Sequence, residues 1–334
     1  MMVRLALLGL LWLLAACSPE GGRSAGLSGA EDCQQGARRA VNVASATQLQ
    51  AALANAEAGD AILLEDGEYL GPFVAERDGT PQAPIRLCGS PKARLLGRGV
   101  VSGVVLRLSA KYWILAGFSL SQANKGLLLD GANHNQTLGL HVHGVGQEAI
   151  RLRNFSSDNR IQSCRIWDTG LVDAGTGEGI YIGTTVSQWA EVTGDANTPD
   201  RSDRNVVEGC QIGPDVRAEH IDIKEGSSDG LIRSNRFDGQ GISGQNFADS
   251  WVDLKGNGYR VEGNFGRHSP QDGFQVHARV TGWGEDNLFA GNEAAVHGPG
   301  YGFSIDSKTQ GNVILCSNRV SEAGSGFANI ACQP

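Results

Sequence analysis

Ile221-Asp222-Ile223-Lys224 and Val252-Asp253-Leu254-Lys255 are two copies of one phrase, and the phrase decides the fold. It returns at Ile150-Arg151-Leu152-Arg153, Ile180-Tyr181-Ile182-Gly183, Phe274-Gln275-Val276-His277 and Phe303-Ser304-Ile305-Asp306. Period-2 alternation sends the apolar members to one face of a strand and the polar members to the other. A strand that recurs every few dozen residues marks a coiled array, in which each unit buries its apolar face only by stacking on its neighbours. The outward positions include Arg151, Arg153, Tyr181, Asp222, Lys224, Asp253, Lys255, His277 and Asp306. This charged stripe is where chemistry is to be sought.

A second register runs through Leu115…Phe118, Leu138…His141, Ile161…Cys164, Val207…Cys210, Ile232…Asn235, Val261…Asn264, Phe289…Asn292 and Leu315…Asn318. Successive end positions are 23 to 29 residues apart, except for one step of 46 that marks a coil with a long insertion. The period matches one turn of a parallel β-helix. Cys164, Cys210, Asn235, Asn264, Asn292 and Asn318 should then form a column, with the amides bonded to one another along the array. The chain has 47 Gly, two Met and 6% aromatic residues, which suits a turn-dense all-β domain. The expectation is a single-domain, right-handed parallel β-helix over 45–334.

The N-terminus reads as an export signal. Arg4 precedes the apolar run Leu5 to Leu14, followed by Ala15-Ala16-Cys17. This resembles a bacterial lipoprotein signal with a signal peptide over 1–16, Cys17 as the lipidated residue and a flexible tether over 17–44. The resemblance implies a chain held at the cell envelope by its lipid alone, and Ser18 after the cysteine leans towards the outer membrane. A net charge of −8 and the lack of a Lys/Arg cluster argue against nucleic acid as a partner. A monomer is expected.

Six further cysteines, Cys33, Cys88, Cys164, Cys210, Cys316 and Cys332, contain no CxxC pair. Export permits disulfides. Cys164 and Cys210 share a ladder position about 4.8 Å apart, which suits either a disulfide or two stacked thiols. Cys33 with Cys88 and Cys316 with Cys332 could pin the two ends.

Between tether and repeats, Leu49, Ala52, Leu53 and Ala56 fall at helical spacing and Gly59 ends the run. A helix near 47–58 would cover the open edge of the first coil. With Gly59-Asp60-Ala61-Ile62-Leu63-Leu64 and Gly67-Glu68-Tyr69 behind it, the chain resembles the pectate-lyase-like superfamily of parallel β-helices. That superfamily includes calcium-dependent polysaccharide lyases, glycoside hydrolases, epimerases, esterases and non-catalytic surface proteins. Glu219-His220-Ile221-Asp222-Ile223-Lys224 is also similar to the "Glu-x-Ile-x-x-Lys" phrase of the alginate and chondroitin B lyase family. There the acidic residue binds calcium and the lysine is the catalytic base. Arg217 stands where that family has a second acidic ligand, and Lys255 lies on the coil where it has an arginine.

Cleaving an acidic polysaccharide by β-elimination needs a cation for the uronate carboxylate, a base for the C5 proton and a donor for the leaving oxygen. Glu148, Glu178, Glu219, Asp249 and Asp272 precede successive phrases. Glu178, Glu219, Asp249 and Asp253 form the expected calcium set. Lys224 is the expected base, with Lys255, His277 and Asp222 as the other catalytic candidates. Lys224 and Lys255 should lower one another's pKa while the neighbouring aspartates oppose this. Arg151, Arg153, Tyr181, Trp189 and Trp283 are the expected substrate contacts, with long insertions at Asp168 to Arg204, Gln240 to Asp249 and Ala278 to Asp286 walling the groove. Two other classes compete: a glycoside hydrolase using Asp222 and Asp253, and a non-catalytic binder. His141 and His143 lie two apart on another face, where a metal pair is a minor alternative.

Overall fold

The computed structural model describes residues 33–334. The expected lipoprotein signal, Cys17 and most of the tether lie outside the described residues. Three parallel sheets of eleven, ten and ten strands wind together into a right-handed β-helix, each sheet taking every third strand. The first sheet runs from Arg39–Val43 to Val313–Ile314, the second from Phe73–Ala75 to Gly326–Ala328, and the third from Gly67–Leu70 to Arg319–Ala323.

The recurring phrases are the strands of the second sheet. Ile150, Ile180, Ile221, Val252, Phe274 and Phe303 pair in strict register along it. All are fully buried, so every coil donates its apolar face to one continuous core. Towards the C-terminal end that core becomes aromatic: Phe274 stacks on Phe303 with ring centres 5.1 Å apart, and Trp251 meets Phe274 edge-on.

The Asn column forms as expected, at the bend between the first and third sheets. Asn235, Asn264 and Asn292 each donate a side-chain N–H to the amide oxygen one coil on, at 2.9–3.0 Å. A second ladder, Asn135 to Asn159 to Asn205, occupies the bend between the second and first sheets. These amides satisfy backbone groups at corners where no strand partner exists. Cys164 pairs with Cys210, Cys33 with Cys88 and Cys316 with Cys332.

The capping helix spans Ala46–Ala54, with Leu49 and Leu53 buried. The Ser45 hydroxyl accepts from the Gln48 N–H, and the Gln48 side chain accepts from the Ala44 N–H, a reciprocal cap. One boundary differs from expectation. Arg39–Val43, read as tether, is the edge strand of the first sheet and pairs with Asp60–Leu64. The alternation there is weak, and pairing with an unbroken apolar strand overrides it.

Candidate active site

The outer face of the second sheet carries two adjacent columns. One runs Arg107, Leu128, Arg151, Tyr181, Asp222, Asp253, Gln275, Ser304. The other, two residues on along each strand, holds Asp130, Arg153, Gly183, Lys224, Lys255, His277 and Asp306. Its register is carried by the backbone bonds of Lys224 to Ile182, Lys255 to Ile223, His277 to Leu254 and Asp306 to Val276. Sequence reading missed the two earlier coils, because Leu128 puts an apolar residue at an outward position and hides the alternation of Lys125–Asp130.

At the centre, Tyr181 lies between two cations. The Arg151 guanidinium sits 4.6 Å from the ring centre and the Lys224 ammonium 4.8 Å from it, both within cation–π range. Gly183 precedes Lys224 in its column with φ +85°, and a Cβ there would touch the Lys224 Cβ at 3.5 Å. Its missing side chain leaves open the flank of Lys224 on the side of the tyrosine's coil. Burial and the Asp222 carboxylate hold the Tyr181 phenol well above its usual pKa, although Arg151 and Lys255 oppose the shift. The phenol is therefore a proton donor across the neutral range.

The two lysines have different surroundings. Lys255 retains 8% exposure, and its ammonium bridges the carboxylates of Asp222, at 2.9 Å, and Asp253. Burial works against the charge, but Asp222, Asp253 and Glu219 together raise its pKa well above normal. The sequence leaves open whether the second lysine or the aspartates prevail, and for Lys255 the carboxylates do, because they and not Lys224 are its nearest charges. Among the described residues Lys224 makes one ion pair, to Asp222 at 2.5 Å, and it remains 15% exposed. His277 is the most open of the set at 43%. Its Nδ1 lies 2.8 Å from Asp253, and that bond raises the imidazole's pKa against the effect of burial.

Behind these cations lies a buried acidic cluster. Glu178, Glu219 and Asp222 each bring a carboxylate oxygen within 4.8 Å of the others. Burial, with Glu148 and Asp222 adding to it, pushes Glu178 up to about 8. Glu219 is also raised well above its usual range, by burial first and Asp222 second. Among the described residues, one Glu178 oxygen has no hydrogen-bond partner. The expected calcium set does not assemble. Asp249 accepts from Gln275 at 2.8 Å, away from the cluster, and Asp253 is held by Lys255 and His277. Both Asp222 oxygens are taken by lysine ammoniums. A calcium ion requiring six to eight oxygens would find two free carboxyls and two competing cations, so the residues present do not fit it.

The expected substrate contacts divide. Arg151 is mostly buried and paired with Glu148 at 2.6 Å, which positions it against Tyr181. Arg153 is more open, 3.2 Å from Asp130, and Arg107 reaches the same carboxylate. Trp189 is 5% exposed, and its indole N–H donates to the Thr184 carbonyl at 2.8 Å. It packs the insertion onto the coil and offers no face to a sugar. Trp283 is half-buried on the loop after His277. The Asp168 to Arg204 insertion is anchored by Asp200, whose carboxylate accepts from the Thr184 hydroxyl and the Asn154 and Phe155 N–H groups. Asp222 and Asp253 share the Lys255 ammonium, and burial cannot keep Asp253 protonated against Lys255 and His277. A hydrolase needs one such carboxyl to donate a proton, and this pair does not provide it.

Solved structures resemble the chain over most of its length. An alginate lyase from Paenibacillus sp. str. FPU-7 is 37% identical, with a TM-score of 0.81 over 88% of this chain and 100% of that one. Pectate lyase Pel9A has a TM-score of 0.56 at 15% identity, covering 90% and 82% of the two chains. A rhamnogalacturonan lyase gives 0.56 at 16%, covering 82% and 81%. These last two share the fold. No protein-family model matches the chain, and no curated protein matches it. Fold and relatives together define a parallel β-helix polysaccharide lyase. The chain belongs to the family of the Paenibacillus alginate lyase.

Proposed function

We propose that this protein cleaves a uronate polysaccharide, alginate in the first place, by β-elimination, with Lys224 as the base and Tyr181 as the acid. The observation that carries this reading is the pairing of a partly exposed lysine with a protonated tyrosine on adjacent coils, 4.8 Å from ammonium to ring centre. Elimination needs one group to remove the C5 proton and another to protonate the departing oxygen at C4. These bonds break while the C4–C5 double bond forms. Lys255 cannot be the base, because its proton is held by two carboxylates.

Lys224 must lose a proton before it can accept one. That proton leaves to solvent, to which Lys224 is open, since Asp222 is already held by two ammoniums and Glu178, pushed up to about 8, is itself protonated at neutral pH. Charge on the uronate carboxylate would be met by the chain's own cations. His277 stands exposed at one end of the site and Arg153 and Arg107 at the other, and Lys255 supplies a fixed positive charge beneath. The chain is further proposed to act outside the cytoplasm, tethered through Cys17.

The test is a panel of polymannuronate, polyguluronate, polygalacturonate and glucuronan, assayed with calcium and with a chelator. Ultraviolet absorbance of unsaturated products should appear on an alginate block and persist under chelation. Loss of activity on chelation would return calcium to the reaction.

A further inference from the structure

The third sheet, away from the catalytic columns, carries an aromatic and basic row of its own. His141, Arg165, Gln211 and Arg236 follow one another in register on four successive coils. In the adjacent column His143 pairs with Trp167. The His143 ring stacks on the indole with centres 4.3 Å apart and planes 8° from parallel, and the Arg165 guanidinium lies 5.1 Å from the indole centre. His141 meets the same indole edge-on at 5.9 Å.

The next coil continues this column with Gly213, whose N–H bonds to the Ile166 carbonyl at 2.9 Å. Pro214 beyond it is exposed, and Trp167 is half-buried between His143 and the Arg165 guanidinium. Arg165, Gln211 and Arg236 are exposed. Among the described residues, neither Arg165 nor Arg236 has a carboxylate partner, whereas Asp238 is taken by Arg267 and His268. Asp168 flanks His143 as the nearest acid, and Asp215 lies exposed beyond Pro214. Burial lowers the pKa of both His141 and His143, so each offers a neutral donor and acceptor at neutral pH.

We infer that Trp167, with Arg165, His143, Gln211 and Arg236, forms a second binding surface for an anionic polysaccharide, separate from the catalytic face. The half-buried indole, with His143 stacked on it and the Arg165 guanidinium over it, supplies an apolar edge beside that cation for a sugar ring. The two arginines, whose backbone positions are about two strand spacings or 9.6 Å apart, supply fork-shaped donors for carboxylates spaced along a polymer. Binding at a second face would raise the effective concentration of polymer at the first without altering the chemistry. The choice of uronate as ligand rests on the function proposed above; the anionic sugar polymer as a class rests on the surface itself.

Affinity electrophoresis through gels containing alginate or polygalacturonate tests this, using the chain in a Lys224→Ala background so that the polymer is not consumed. Two further variants, Trp167→Ala and the double Arg165→Ala/Arg236→Ala, are compared, with thermal melts showing that each folds. The parent should be retarded by at least one polymer, and each variant should bind it about threefold or more weakly. With Lys224 restored, the variants should lose turnover on polymer but keep it on a tetramer. Absent retardation of the parent, or unchanged retardation of both variants, overturns the surface. The gel needs no turnover, so it remains decisive even if the chain releases no unsaturated product and the lyase proposal itself fails.

Discussion

The Lys224 ammonium lies 4.8 Å from the centre of the Tyr181 ring, and the Arg151 guanidinium approaches the same ring at 4.6 Å. Tyr181 and Asp222 are direct partners across neighbouring strands, so the reactive pair is fixed by sheet register and not by a loop. A one-residue slip would send both side chains into the core. The buried isoleucines on either side, Ile180 and Ile182, Ile221 and Ile223, prevent this.

Replacing Lys255 should cost more stability than replacing Lys224. Lys255→Ala leaves Asp222 and Asp253 facing each other with their common cation gone, and breaking a buried pair in this way costs about 3–5 kcal/mol. Lys224→Ala removes one of two cations from Asp222 at a more open position. Thermal melts should therefore rank parent, Lys224→Ala, Lys255→Ala in falling order. Equal melting temperatures for the two variants would contradict the role given to Lys255.

Glu178→Gln should gain stability relative to the parent as pH rises. The Glu178 carboxyl titrates near 8 in the fold against 4.5 as its ordinary value. Between those values the unfolded chain releases a proton that the folded chain keeps, so the neutral carboxyl's contribution is full below 4.5 and lost as pH rises through about 8. Glutamine has no proton to lose. The difference in melting temperature between variant and parent should grow by a few degrees from pH 5 to pH 8.5 in calcium-free buffer, and a flat difference would refute the shift.

Asn264→Ala should destabilise the coil by about 3 kcal/mol, with little direct effect on the site. Its amide oxygen accepts both the backbone and side-chain N–H of Asn235, and its own N–H groups satisfy the Ile232 carbonyl and Asn292. Removal leaves buried backbone groups unpaired. Denaturant unfolding measures the loss.

Much of this fold was legible in the chain because β-helix coils repeat their burial pattern. Ile221, Ile223, Val252 and Leu254 point inward as their alternation requires, and the Cys164 to Asn318 column stands where the second register put it. The site was legible as a stripe but not as a network. Alternation places Lys224 and Lys255 alike, yet their different burial depends on which carboxylates lean towards them across coils. Residue spacing carries no such information. Trp189 shows the same limit: a tryptophan in an insertion reads equally as platform or packing, and the Thr184 carbonyl decides for packing. Arg107 and Asp130 were hidden because Leu128 takes the outward position opposite Arg107 and two residues before Asp130, which breaks the alternation there.

The central claim is tested most directly by Lys224→Ala and Tyr181→Phe assayed on alginate, reading ultraviolet absorbance and reducing ends together. The parent should generate both signals in step. Each variant should lose about 10²- to 10⁴-fold in kcat, the usual contribution of a general acid or base, with an unchanged far-ultraviolet circular dichroism spectrum. Reducing ends without absorbance in the parent, or undiminished turnover by Lys224→Ala, would contradict the account.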